Sequence, residues 1–543
     1  MFSSTEYYSH GDWVERGSQY GTFGGSSYAL DAYYRSERGY RPNNDLDQLD
    51  LALRFKQQIT DKDSLFFQVG YFHQESGDVA QYYDQASASQ TLRVTEKQEP
   101  NLLVGYHREW APGSHTLFLF SRIDDKLNLD DSNPALLALI TAVSPFTGAT
   151  NMYVQNPAFY SVNFERELEA YSGELQQIWQ NHSWTFIAGG RYQSATADTT
   201  DNLLRAPPFG LTTPVFQNNH TDLDRISVYG YAQWQILDSL RLIGGVGYDR
   251  LHFPVNIDTS PISSEEDTTD MFTPKAAIVW SPTKDTNIRG IYSRSLAGAF
   301  FDTSVRLEPT QLAGFTDAFR SLIPESVAGL VPGTKFETWG AGLDQKFGTG
   351  TYVTVQGEYL KSDATRTVGI LTNSDTTVPI PDSASGTPQS LDYKEKSLVV
   401  AFNQLLSKEW ALGARYRLTD ADLVSDFLEI PATTFGAAPL HQDVSALLQQ
   451  LDLAVIYQHR CGFFAQFDAV WSQQNNHGYS PSLAGDDFWQ YNALFGYRFL
   501  QRRVQAQVGV LNIGDRNYKL NPLTLYNELP RERTFVASLK LNF

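Results

Sequence analysis

Ten histidines are scattered along the chain, at His10, His73, His107, His115, His182, His220, His252, His441, His459 and His477. None forms an HExxH motif or an i, i+4 pair, the spacing that places two imidazoles on one helical face around zinc. His182 stands beside Ser183. Adjacency in sequence is not the geometry in which an imidazole takes a hydroxyl proton, and the pair falls at an expected tight turn. There is no G-x-S-x-G elbow and no phosphate-cradling glycine loop. Gly244, Gly245 and Gly247 lie in a strand-like segment, where missing side chains permit close packing or a kink. The single cysteine, Cys461, excludes an intrachain disulfide and a cysteine-cluster metal site. This inventory predicts a protein that is not an enzyme and that uses no cofactor.

Carboxylates cluster more densely. Asp124, Asp125, Asp130 and Asp131 crowd a connection expected over 123–134; Glu265, Glu266, Asp267 and Asp270 crowd another; Asp420, Asp422 and Asp426 open a third. Oxygen-rich loops of this kind suit Ca²⁺, or bridging to lipopolysaccharide phosphates through divalent cations, and the first four aspartates are the metal candidates. The plainer reading, a solvated acidic face that keeps loops apart, carries more weight. Net charge is −19, which speaks against nucleic acid as a partner.

The elements that must position these residues are strands. In SVYGYAQWQI (227–236), TYVTVQGEYL (351–360) and ALGARYRLT (411–419), apolar and polar residues alternate, the period-2 pattern of a half-buried sheet. A helix is expected only over PTQLAGFTDAFRSLIP (309–324), between two prolines. The 296–333 connection that holds it carries Phe300, Phe301, Leu307, Leu312, Phe315, Phe319, Leu322 and Ile323. That is too apolar to lie free in water, so packing against neighbouring loops as a lid is expected, with ligand contact at a mouth as the alternative.

Connection lengths carry the sharper signal. Tight ones at 237–239, 281–286, 347–350, 406–409, 459–462 and 500–503 alternate with long ones at roughly 123–162, 193–225, 250–271, 296–333, 361–395, 420–449, 473–487 and 514–531. Short turns at one end and long loops at the other are the signature of a transmembrane barrel. With 543 residues and a mean hydropathy of −0.34, the chain is too long for one compact core. Its longest apolar run, LLALITAV (136–143), is too short for a membrane helix. The expected fold is all-β, one antiparallel transmembrane β-barrel of about 22 strands over 1–543, strand number being even in such barrels. Outward rows would be apolar, as Phe535, Ala537, Leu539, Leu541 and Phe543 are, while Ser538, Lys540, Asn542, Arg415 and Arg417 face a wet lumen. Trp410, Trp471, Trp489, Tyr491 and Tyr497 fit interfacial girdles.

On these residues the chain resembles a known family. TPKAAIVWSPTKDTNIRGIYSRSL (273–296) is similar to the mid-barrel hairpin of TonB-dependent outer-membrane receptors. VLNIGDRNYKLN (510–521) resembles their penultimate N-L-F-D-R-x-Y segment, and GYRPNNDLDQLDLALRF (39–55) their early barrel. The resemblance implies a Gram-negative outer membrane, lipid and lipopolysaccharide surroundings, and uptake of a siderophore, metal complex, oligosaccharide or similar solute captured by loops. It implies TonB as a partner through an N-terminal region, and a terminal signal at Leu539, Leu541 and Phe543 read by the barrel-assembly machinery. The family's N-terminal plug and TonB box are not visible here, so the chain is expected to be the barrel portion. The opening MFSSTEYYSHG shows no signal-peptide pattern. A plugless channel or exporter is the alternative, and a membrane enzyme the more distant one. Deletion of Phe543 is expected to lower the yield of assembled barrel in cells, read as the heat-modifiable band on gels.

Overall fold

Inside a bilayer every backbone N–H and C=O needs a partner, so a sheet can cross only by closing on itself. The first strand, Phe2–Tyr8, pairs on one side with Trp13–Phe23 and on the other with the last, Thr534–Asn542, in register Ser3↔Leu541 and Tyr7↔Ala537. The computed structural model describes residues 1–143, 150–155, 160–205, 214–299, 306–316, 331–377, 380–431, 434–436 and 440–543. Among these are 27 strands, 22 of which form the closed antiparallel ring. The other five, Leu137–Val143, Thr150–Gln155, Gln311–Leu312, Phe315–Thr316 and Phe435–Gly436, belong to long connections.

Short turns at 24–25, 59–62, 112–113, 181–183, 238–239, 284–285, 348–350, 406–409, 459–462 and 500–503 all lie at one end. The opposite end carries the long connections, except that the first, 9–12, is also brief. Several loops are shorter than the sequence suggests: 132–159 rather than 123–162, 206–214 rather than 193–225, and 373–382 rather than 361–395. The reason is strand length. Tyr160–Gln180, Trp184–Arg205 and Val215–Leu237 run for 21, 22 and 23 residues, about twice the ~9–11 that cross a bilayer. Above the membrane the outward face turns polar, while inward positions such as Phe164, Leu168, Ala197 and Leu223 stay apolar and buried; the polar row reads as loop in sequence, yet hairpin neighbours keep the ladder paired. At the seam the wall is low, with Phe2–Tyr8 only 7 residues long.

The acidic clusters are therefore corrected from loops to strands. Asp124, Asp125, Asp130 and Asp131 stand on Ser114–Asp131, Glu266, Asp267 and Asp270 on Glu266–Thr283, and Asp420, Asp422 and Asp426 on Trp410–Phe427. The expected helix is corrected too. Over 311–316 the chain makes a tiny hairpin, Leu312↔Phe315, through Ala313 and Gly314 at φ +50° and +83°. Two successive positive φ angles belong to a type I′ turn and cannot continue a helix. Residues 317–324 lie outside the described residues, as do Phe300, Phe301, Phe319, Leu322 and Ile323.

The two faces separate as the alternation predicts. Phe535, Leu539 and Phe543 are exposed on the outside, while Lys540 reaches Glu6 at 3.5 Å within the lumen. Trp110, Trp234, Trp280, Trp410 and Tyr497 ring the outer surface near the short turns, and Trp339, Trp471, Trp489 and Tyr491 near the long-loop end. Trp471 donates to Asp487 at 2.7 Å, the amphipathic behaviour of an interfacial indole. Ala537→Arg on the outward row should cost about 2–4 kcal/mol near the bilayer midplane, whereas Ser538→Arg, facing the lumen, should be nearly neutral. Urea titration of refolding into vesicles measures both.

Candidate functional site

At the long-loop end the bore is roofed by its own connections. Thr351–Thr372 rises beyond its neighbour Lys335–Phe347, whose pairing stops at Lys335↔Asp363. That leaves an open strand edge, a ready template for another strand. Leu137–Leu139, from the far side of the barrel, pairs with it in parallel as Ile370↔Leu137 to Thr372↔Leu139. Asn373 locks the crossing: its Oδ1 accepts from Thr141 N at 2.8 Å and its Nδ2 donates to the Thr141 carbonyl at 2.7 Å. Leu136, Ala138 and Ile140 then bury against Phe164, Leu203 and Leu371.

The last connection, 512–533, forms a second part of the roof. Its base explains the penultimate motif. Asn512 is fully buried and its Nδ2 donates to the carbonyls of Arg516 at 3.0 Å and Pro530 at 2.9 Å, tying the two ends of the loop together. Leu523 reaches across to Leu391 and Tyr393 on Ser383–Leu405. Arg531 lies 4.0 Å from the Tyr518 ring centroid and 5.1 Å from that of Tyr40; Arg41 lies 5.4 Å from Tyr40 and 5.4 Å from Tyr82. Cations alternating with aromatic faces stitch three loops, 38–45, 77–92 and 512–533, into one unit. No sequence pattern marks this stack beyond the adjacent Tyr40 and Arg41.

Beneath the roof lies a carboxyl cluster. Alternation splits the four aspartates. Asp124 turns outward to Arg122 at 2.7 Å and Asp130 outward to Asn163 at 2.7 Å. Asp125 is completely buried and meets Arg166 at 3.1 Å, and Asp131 accepts from Ser89 at 3.0 Å. Among the described residues no three His, Cys, Asp or Glu side chains converge as a metal-holding group. The structure instead brings Glu96 beside Asp125, with the outward side chains at this level, Lys97, Lys126 and Glu167, all charged. That level stands above the membrane. Burial first, then the Asp125 charge, pushes Glu96 up to about 7. Burial pushes Asp201 up to about 6, opposed by its hydrogen bond from Ser260.

The remaining sequence candidates fall elsewhere. His182 and Ser183 occupy the 181–183 turn, where Asn181 Oδ1 accepts from Ser183 N at 2.9 Å and shapes the bend. In the membrane-level lumen, Arg16, Asp31, Asp50, Arg54 and Gln68 lie among the residues that line a cavity of about 570 Å³ against the low wall, together with apolar ones such as Phe2, Tyr33 and Phe72. The arrangement as a whole offers hydrogen bonds, charges and aromatic faces.

A carboxyl whose folded pKa exceeds its unfolded value keeps its proton longer when folded, so its contribution to stability falls as pH rises from 4.5 through about 7. Glu96→Gln, which retains the shape without the charge, should therefore raise the melting temperature of the detergent-solubilised chain more at about pH 8 than at about pH 5. Equal gains at both would contradict the assignment.

Comparison with known proteins agrees with this architecture. No curated protein matches the sequence. Among solved structures, a copper transporter, OprC, superposes with a TM-score of 0.63 at 11% identity, covering 100% of this chain and 80% of that one. The siderophore receptor PiuA from Acinetobacter baumannii gives 0.64 at 13%, covering 99% and 81%. The ferric yersiniabactin uptake receptor FyuA from Yersinia pestis gives 0.65 at 9%, covering 100% and 79%. At such identities the likeness is one of fold. The family model described as "TonB dependent receptor-like, beta-barrel" matches residues 2–326, more than half of the chain, and the protein belongs to that family.

Proposed function

We propose that the chain forms, as one domain over 1–543, the barrel of a Gram-negative outer-membrane receptor that imports a solute too large or too scarce for porins. TonB energises that import. The observation that carries this reading is the roofed vestibule. Loops from opposite walls are joined by the strand pairing of Leu137–Leu139 with Ile370–Thr372, and connections near the seam by Arg531 over Tyr40, above a lumen that holds charged groups such as Arg16, Asp50 and Arg54. A diffusive pore has no need of such a roof, whereas a receptor uses one to hold a captured ligand. The structural relatives named as a copper transporter and as siderophore receptors support a metal complex as the first solute class to try.

Tryptophan fluorescence of the detergent-solubilised chain should be quenched saturably by one member of a panel comprising a ferric catecholate, a ferric hydroxamate, a copper complex and a maltooligosaccharide. No saturable response to any of them, together with a large steady conductance in planar bilayers, would favour the channel or exporter reading instead.

A further inference from the structure

The short turns are unequal in charge. The first eight, from 24–25 to 406–409, carry three lysines against four carboxylates. The last two, 459–462 and 500–503, carry Arg460, Arg502 and Arg503 and no carboxylate, in a chain whose net charge is −19. These two turns are neighbours. Arg498 N donates to the Gly462 carbonyl at 2.9 Å. The Arg498 guanidinium, turned into the bore, donates to Gln458 at 3.2 Å and to Gln505 at 2.8 Å. That arginine is engaged in holding four strands together. The other three are not. Among the described residues Arg460 meets Glu409 alone, at 3.7 Å, with its side chain 82% exposed. Arg502 and Arg503, both exposed, form no ion pair among the described residues.

Like charges gathered without partners oppose folding, and the backbone that carries two of them is costly too. Leu500, Gln501 and Arg502 have φ of +50°, +56° and +69°. These are three successive left-handed residues, where glycine or asparagine would sit with less strain. Arg503 N closes the curl on the Leu500 carbonyl at 3.1 Å. The curl leaves Leu500, 68% exposed, beside Arg502 and Arg503 at the edge of the barrel. Strain kept at an exposed turn tip points to a function there.

On the membrane side of both turns runs an outward aromatic shelf. Trp410 packs on Tyr457 with ring centroids 4.6 Å apart, and Tyr457 on Phe463 at 6.3 Å. Phe463 stands in register with Tyr497, whose ring stacks on Phe499 at 6.0 Å. Trp410, Phe463, Tyr497 and Phe499 are all exposed. Rings of this kind settle at the headgroup level of a bilayer, so the three guanidiniums stand at the height of lipid phosphates. A guanidinium matches a phosphodiester in charge and in bidentate geometry. An acidic segment of a soluble protein would match the charge alone. It would leave Leu500 and the shelf uncovered, whereas the acyl chains of a lipid cover both.

We infer that turns 459–462 and 500–503 bind an anionic phospholipid of the leaflet at the short-turn end. Its phosphodiester lies on Arg460, Arg502 and Arg503, and its acyl chains run along Phe463, Tyr497, Phe499 and Leu500.

Cys461, exposed and the single cysteine of the chain, takes a fluorophore beside Arg460. The full chain labelled there is reconstituted in phosphatidylcholine bilayers doped with nitroxide-labelled phosphatidylglycerol or, separately, nitroxide-labelled phosphatidylcholine. Half-quenching is expected at a mole fraction about tenfold lower for the anionic lipid, three cations each contributing about two- to fivefold. The triple variant Arg460→Gln, Arg502→Gln, Arg503→Gln should abolish that preference. Lys62→Gln with Lys284→Gln, at other short turns, should leave it unchanged. Equal half-points for the two lipids overturn the inference; if a soluble hexaglutamate peptide then binds, the arginines belong to an acidic protein segment instead. A preference that survives in the triple variant, or falls equally in the lysine variant, overturns it as well. Should the triple variant not assemble, Arg460→Gln alone decides, at one exposed side chain, by a loss of about two- to fivefold.

Discussion

The structure depends on one constraint: no backbone N–H or C=O may remain unpaired in hydrocarbon. Closure between Phe2–Tyr8 and Thr534–Asn542 satisfies it for the ring. The same rule continues above the membrane in a softer form. Where Thr351–Thr372 outgrows its neighbour, the freed edge is taken by Leu137–Leu139 from across the bore. Uneven strand length thus creates open edges, and open edges recruit loops. The roof over the mouth is a consequence of ladder pairing extended beyond the bilayer.

Closure also creates an interior that must be solvated or filled, and this barrel does both. Along the low wall near the seam the lumen stays open around Arg16, Asp50 and Arg54. Along the tall wall it is filled by protein, and three of the carboxylates trapped there are met by partners: Asp125 by Arg166, Glu308 by Lys275, Glu174 by two backbone N–H groups. In a low-dielectric interior such networks hold firmly when complete and fail when one member is lost.

Much of the barrel was legible in the chain. Alternation such as Phe535 to Phe543 assigned lipid and lumen faces, and the tight turns at 347–350, 406–409, 459–462 and 500–503 fall where turn-forming residues lie. Strand ends at the long-loop side were not legible. Above the bilayer the outward face needs no apolar row, so Asp124 to Asp131 and Asp420 to Asp426 resemble loop while pairing as strand. Of the helix expected at 309–324, the stretch 311–316 is a hairpin instead. Leu312 and Phe315 have helical spacing, but a type I′ turn also brings them side by side, and the pocket beside Gly340 selected the turn.

By itself, then, the sequence determined the all-β class, the 22-strand count, which residues face lipid, and the aromatic girdles. All of these follow from local period-2 patterning against a bilayer of set thickness. Only the tertiary structure decided what fills and covers the bore: Leu137 beside Ile370, Arg531 between Tyr518 and Tyr40, Glu174 beneath Leu307. Leu137 and Ile370, Arg531 and Tyr40, and Glu174 and Leu307 lie far apart along the chain. No local period encodes such meetings; they exist because closing the ring brings distant walls within reach of one another's loops.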